Sequence, residues 1–205
     1  MTIMPNKRTK KPGLHKIALT GGPGGGKSTA AELFRREFKD HISLVPEVAT
    51  LLFKGGFPRV NNENVVESIQ KSIFCVQRNI EDTYAGLFPH HALLCDRGTL
   101  DGAAYWPKGQ ADFFKTMGTS FDKEIARYDA VIFFETAAAG GLSIDLGNPV
   151  RNEDQIKAIE LDLRLRELWS KHPNFVYIKN EPSFLQKIMA GIKAMDEIII
   201  STTNG

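Results

Sequence analysis

Cysteine is scarce: Cys75 and Cys95 are the only two in 205 residues. Two isolated thiols make neither a disulfide framework nor a set of closely spaced zinc ligands, so both are expected as reduced core thiols in a cytoplasmic protein. Net charge is low as well, at +2. That balance is too small to argue for a surface that grips a duplex, and nucleic acid is not an expected partner. No apolar stretch approaches the roughly 20 residues of a membrane span. Met1–Pro12 carries Lys7, Arg8, Lys10 and Lys11 with no apolar run behind them, so it does not read as a secretion leader. Residues 1–14 are expected to be a flexible tail. There is no internal repeat. A guanine-reading Asn-Lys-x-Asp motif is also missing, since Lys179-Asn180-Glu181 does not match it.

What remains is an ordinary globular composition, 42% hydrophobic and 24% charged, read as one domain over 15–205. Within it, Gly21-Gly22-Pro23-Gly24-Gly25-Gly26-Lys27-Ser28-Thr29 fits the phosphate-binding loop pattern of Gly, four residues, Gly, Lys and Ser or Thr. At average residue usage a chance match in a chain this long has odds below about one in a hundred. Glycines let backbone N–H groups close on phosphate oxygens, and the following helix adds its positive end. In this pattern Lys27 reaches the β- and γ-phosphates of ATP and the Ser28 hydroxyl ligates Mg²⁺.

The context suits the motif. Ile17-Ala18-Leu19 reads as a buried strand before the loop, and 27–39 as a helix with Ala30, Leu33, Phe34 and Phe38 on one face. Ile42–Val45 is a second strand, followed by Pro46-Glu47, a helical turn over 49–53 and a loop over 55–62. A long helix spans 63–84, where Val66, Ile69, Ile73, Val76 and Ile80 recur at spacings of three and four. The adjoining stripe, Gln70, Phe74, Gln77 and Glu81, reads either as pocket lining or as the solvated flank of that helix. His91–Cys95 is a third strand, and its exit, Asp96-Arg97-Gly98, is placed where a second nucleotide motif holds Mg²⁺. Thr99 is expected to cap a short helix near 101–106, and a helix over 110–128 to break near Gly118. A fourth strand covers 130–134. The Gly- and Ala-rich segment 136–152 then reads as a lid. A helix over 153–171 has Ile156, Ile159, Leu163 and Leu168 as its apolar positions. A strand over 175–178 and a closing helix from Ser183 complete an α/β fold, a five-stranded parallel sheet covered by helices on both faces.

With motifs at the ends of strands one, two and three, the chain resembles the nucleoside and nucleotide kinase branch of P-loop proteins. It is most similar to the small AAA-type ATP-binding group related to the nicotinamide riboside kinase domain. The resemblance spans about residues 17–189 and rests on Gly21–Thr29, Val45-Pro46-Glu47-Val48-Ala49 and Cys95-Asp96-Arg97-Gly98-Thr99-Leu100-Asp101-Gly102. It implies a three-layer P-loop fold, Glu47 as general base, Asp96 and Arg97 as the pair serving Mg²⁺ and substrate, and a lid arginine at Arg151, for which Arg164 and Arg166 compete. The expected activity is ATP- and Mg²⁺-dependent phosphoryl transfer to a small hydroxyl-bearing metabolite of nucleoside or nucleotide type. The alternative is a regulatory ATPase that switches a partner-binding surface. A kinase of nucleic-acid ends fits the charge less well.

Overall fold

The computed structural model of the chain describes residues 16–140 and 149–203. Its strands are β1 (Lys16–Thr20), β2 (Ile42–Val45), β3 (Ala92–Asp96), β4 (Ala130–Phe134) and β5 (Phe175–Ile178). All pairings are parallel and the order is β2-β3-β1-β4-β5. Leu19 of β1 lies between Asp96 of β3 and Ile132 of β4. The chain leaves β1 toward one edge and β3 toward the other, so a crevice opens at the carboxyl ends of these two neighbours.

The helices are α1 (Lys27–Glu37), α2 (Val48–Lys54), α3 (Glu63–Leu87), α4 (Asp101–Tyr105), α5 (Gln110–Thr116), α6 (Phe121–Ile125), α7 (Pro149–Trp169) and α8 (Phe184–Thr203). Strand pleating sends alternate residues to two cores. Ile17, Leu19, Ile132 and Phe134 pack with Phe34 of α1 and with Ile188 and Met195 of α8. Ala18, Val131 and Phe133 face the other way, among Phe74 of α3, Phe113 of α5, and Leu165 and Trp169 of α7. This is the expected three-layer arrangement.

Several local expectations are corrected. In α3 the stripe that turns inward is Gln70, Phe74, Gln77 and Glu81 together with Ile69, and Val76 and Ile80 stay half-buried. The reason is that Glu81 and Gln77 meet cationic and hydrogen-bonding partners on β1, at the exit of β3 and just ahead of β4. In α7 the inward face is Asp162, Leu165, Leu168 and Trp169, while Ile156 and Leu163 are 57% and 48% exposed. Two stripes of similar spacing share that helix, and polar tethers at Asp162 and Trp169 select between them. Leu33 is exposed on α1, and Cys75 is exposed where a core thiol was expected; Cys95 is buried. Thr99 does not cap α4, whose cap position is Leu100, and the Thr99 N–H donates instead to Tyr128 Oη.

The break between α5 and α6 contains Gly118 at φ 64°, as its position suggested. The α7 helix begins four residues earlier than expected, at Pro149, whose fixed φ and missing N–H suit a first helical position. Arg151 is therefore in the first turn of a helix and not at the end of a loop. The 1–14 tail, lid residues 141–148 and the Arg151 side chain lie outside the described residues.

The choice of face on α7 is measurable. Leu165→Ala is expected to cost about 2–5 kcal/mol of unfolding free energy and Leu163→Ala no more than about 0.5. Urea unfolding checks both values, and equal losses would restore the face read from spacing.

Candidate functional site

The phosphate loop leaves β1 at the crevice and turns into α1 at Gly26, whose φ is 87°. Gly21 has φ 131°, and a Cβ there would fall 2.0 Å from Phe134 O, so the loop passes against the end of β4 as only glycine permits. Lys27 is buried and folds back, its Nζ donating to Gly22 O at 2.6 Å. Burial, and then the Arg97 charge, lower its pKa to about 8 against the opposing pull of Asp101, Asp96 and Glu47. Ser28 and Thr29 are exposed at the start of α1.

Across the crevice, Arg97 follows β3 at φ 72°, the only positive φ of a residue other than glycine among the described residues. Backbone in this region is costly and is kept where the surroundings insist on it. Here the Arg97 N–H donates to Leu19 O at 2.9 Å. Its side chain is held at both ends, with Nε donating to Glu47 Oε1 at 2.5 Å and Nη1 to Asp101 Oδ2 at 3.0 Å. Asp101 also accepts from Thr20 Oγ1 and from Trp169 Nε1, both at contacts of 2.8–3.0 Å. Glu47 sits at the cap position of α2 and accepts a short hydrogen bond from Thr50 Oγ1. Burial pushes the Glu47 carboxyl up, but the Arg97 charge and the Thr50 and Arg97 hydrogen bonds outweigh it, leaving it below the usual carboxylate range.

Asp96 behaves differently. It is buried, its Oδ1 has no hydrogen-bond partner among the described residues, and burial with the nearby Glu47 charge raises its pKa to about 6. An orphaned buried carboxylate oxygen that shares a cavity with the Ser28 hydroxyl fits a hard cation. Magnesium typically takes only one or two protein carboxylates and completes its shell with water and phosphate oxygens. No group of three or more His, Cys, Asp or Glu among the described residues forms a self-sufficient metal cage.

Two cavities meet at these residues. The smaller, of about 240 Å³, is lined by Pro23–Thr29, Glu47, Asp96 and Arg97. The larger, of about 630 Å³, lies over α3, with Phe53, Phe74, Gln70, Gln77 and Tyr105 among its walls. Its size is that of a small-molecule site. Pro23, Glu47 and Arg97 border both cavities.

Residues 16–186 match the sequence model of the family described as AAA domain. The chain belongs to the AAA domain family. Among solved structures, this AAA domain chain is similar to thymidylate kinase from Ehrlichia chaffeensis, with a TM-score of 0.59 and 16% identity over 91% of this chain and 100% of that one. It is also similar to deoxyadenosine kinase from M. mycoides with bound dATP, with a TM-score of 0.57 and 15% identity over 93% and 100%. At that identity the likeness is one of fold. No curated protein matches the sequence. No helix among the described residues is long and apolar enough to cross a membrane.

Gly21–Thr29, Glu47, Asp96 and Arg97 therefore converge on one crevice. The lid candidates are Arg151, whose side chain lies outside the described residues, Arg164 and Arg166. Arg164 is exposed, and Arg166 donates to Tyr177 Oη at 3.0 Å. Three residues close to the site were not among the candidate site residues read from the sequence: Asp101, which holds Arg97; Asp162, which binds the phosphate loop; and Glu81. Glu81 is fully buried beneath the larger cavity and accepts from Lys16 Nζ, Gln77 Nε2, Arg127 Nη2 and Tyr128 Oη. Its position on the polar stripe of α3 was the one available hint.

Removing Glu81 leaves Lys16 with the exposed Asp82 alone, and Arg127 with Asp82 and the more distant Glu124, while Gln77 and Tyr128 lose their shared acceptor. Glu81→Ala is expected to destabilise the fold by about 3–5 kcal/mol, read by chemical denaturation, and a loss under about 1 kcal/mol would show that the network is replaceable.

Proposed function

We infer that this chain, as a single domain over 15–205, is a P-loop kinase that transfers the γ-phosphoryl group of ATP to a hydroxyl of a small nucleoside- or nucleotide-like acceptor. The observation that carries this reading is the junction of the two cavities at Glu47 and Arg97. A site for hydrolysis alone has no use for a second, larger cavity that opens onto the same two side chains.

In this reading the triphosphate lies along Gly21–Thr29, with Lys27 released from Gly22 O to the β- and γ-phosphates. The acceptor enters the larger cavity between Phe53, Phe74 and Tyr105, with Gln70 and Gln77 as its polar contacts. Glu47 orients the acceptor hydroxyl and takes its proton. A carboxylate with a lowered pKa is a weak base, which suits a transfer that depends mainly on positioning and charge neutralisation. Arg97, fixed by Asp101, neutralises charge on the moving phosphoryl group. Ser28 and Asp96 are the residues that would hold Mg²⁺, which supplies further neutralisation of the phosphates when bound. Arg151, at the start of α7, remains a candidate for the lid cation. The structural relatives are consistent with a nucleoside or nucleotide as acceptor, because their printed names are those of a thymidylate kinase and a deoxyadenosine kinase.

Turnover on a panel of nucleosides, nucleotides and pyridine ribosides, chosen by thermal shift beside a non-hydrolysable ATP analogue, tests the reading. Glu47→Gln is expected to lower kcat by roughly 10²–10⁴-fold with ATP affinity kept, as loss of a general base does. Full turnover by that variant removes Glu47 from the role. Lys27→Ala is expected to weaken ATP binding and transfer together, and an unchanged ATP titration would overturn the phosphate-loop reading. Slow hydrolysis without any phosphorylated product, stimulated by a protein partner, would favour the regulatory ATPase instead.

A further inference from the structure

The phosphate loop is tied to the fold from outside by one carboxylate. Asp162, on α7 and 3% exposed, accepts through a single oxygen, Oδ1, from the Gly22 N–H at 2.8 Å and from the Thr136 N–H at 2.9 Å. Thr136 closes the ring, its Oγ1 donating to Pro23 O at 2.6 Å. The approach is as close as the chain permits, since a Cβ on Gly22 would fall 2.5 Å from Asp162 Oδ1. One acceptor thus joins the second residue of the loop, the residue just beyond β4, and the helix that follows the 141–148 segment. Gly22 and Thr136 are 114 residues apart in sequence. Their shared contact therefore has no local origin.

The chemistry of this contact is unusual for its place. A carboxylate beside a polyphosphate site repels the ligand, so charge is not what the position supplies. Burial raises its pKa and the two backbone N–H groups act against that rise, as expected of an oxygen used as an acceptor. The loop entry has further contacts in the Gly21 passage against β4, in Thr136 Oγ1 on Pro23 O and in Lys27 Nζ on Gly22 O, but it is Asp162 that receives the Gly22 N–H. A glycine-rich loop loses much conformational entropy when it is set to receive phosphates, and any contact that sets it beforehand reduces that cost at the moment of binding.

We propose that Asp162 is a positioning residue for nucleotide binding, clasping the phosphate loop at Gly22 and Pro23 to both flanks of the candidate lid through the Thr136 contact and α7. The role is hydrogen-bond acceptance. It touches neither the nucleotide nor the acceptor, and it rests on the reading that Gly21–Thr29 binds ATP.

The test is a fluorescence titration of the whole chain with N-methylanthraniloyl-ATP, below the melting temperature of every variant compared. Asp162→Ala is expected to raise Kd at least tenfold. Asp162→Asn keeps an acceptor oxygen and removes the repulsion, so its Kd is expected to equal or fall below that of the wild type. Leu168→Ala, buried on the same face of α7 with no contact to the loop, serves as the control for damage to the helix, and its Kd is expected to stay at the wild-type value despite a lowered Tm. A wild-type Kd in Asp162→Ala overturns the proposal. So does equal weakening in Leu168→Ala, which would reduce Asp162 to a share of general α7 packing, or weakening in Asp162→Asn as large as in the alanine variant. If the wild-type chain itself fails to bind the probe, the phosphate-loop reading falls first. If the asparagine variant is unfolded, the comparison of Asp162→Ala with Leu168→Ala still decides.

Discussion

The geometry of the crevice depends on the way Arg97 is held. Its backbone sits in a left-handed conformation that residues other than glycine rarely adopt, anchored by an N–H to Leu19 O. Its guanidinium is gripped at once by Glu47 from α2 and Asp101 from α4. A planar fork with several fixed donors can satisfy two carboxylates in set directions, which a lysine cannot do. That grip draws the ends of β2 and β3 together. It also places the Glu47–Arg97 pair at the boundary between the two cavities. Buried ion pairs of this kind contribute little net stability relative to well-packed apolar groups, and their value here is geometric.

Around this centre the charges are graded. Lys27 has a lowered pKa, Asp96 a raised one, and Glu47 a lowered one, although the three lie at a single crevice. The difference lies in partners. Glu47 has Arg97 and Thr50, whereas one oxygen of Asp96 has none among the described residues. That unpartnered oxygen shares a cavity with the Ser28 hydroxyl, and a carboxylate with a hydroxyl is a donor set of the kind magnesium takes. Behind the larger cavity, Glu81 gathers Lys16, Arg127, Gln77 and Tyr128. Because Gln77 Nε2 donates to both Glu81 Oε1 and Arg97 O, the two halves of the site are linked through one amide.

Most of the fold could be read along the chain. Short apolar runs between turn residues mark β1 to β5 to within a residue or two, and the continuous burial of Ile17, Ala18 and Leu19 is that of a strand covered on both faces. Gly118 and Pro149 are local signals, one for a helix break and one for a helix start, and the second lies within the segment that composition alone marked as a loop. The motif residues were legible for the same reason: their chemistry depends on neighbours in sequence. Helix faces were not. On α3 and α7 two stripes compete at nearly the same spacing, and burial went to the stripe carrying a polar residue with a partner elsewhere in the fold, Glu81 in one case and Asp162 in the other. Hydropathy ranks such a residue as solvent-facing, so periodicity pointed to its neighbours.

The sequence by itself determined a parallel α/β sheet and a glycine-rich loop between β1 and α1, because spacing and residue type settle backbone conformation locally. It also placed Glu47, Asp96 and Arg97 at strand exits, which parallel topology gathers along one edge. Only the tertiary structure decided that Arg97 would be shared by Glu47 and Asp101, that a cavity of about 630 Å³ would open over α3, and that Asp162 would reach Gly22 across 140 residues. Contacts of that range arise from the packing of helices on a sheet. Nothing in the local chain specifies them, since the partners are far apart in sequence and meet only when the elements that carry them pack.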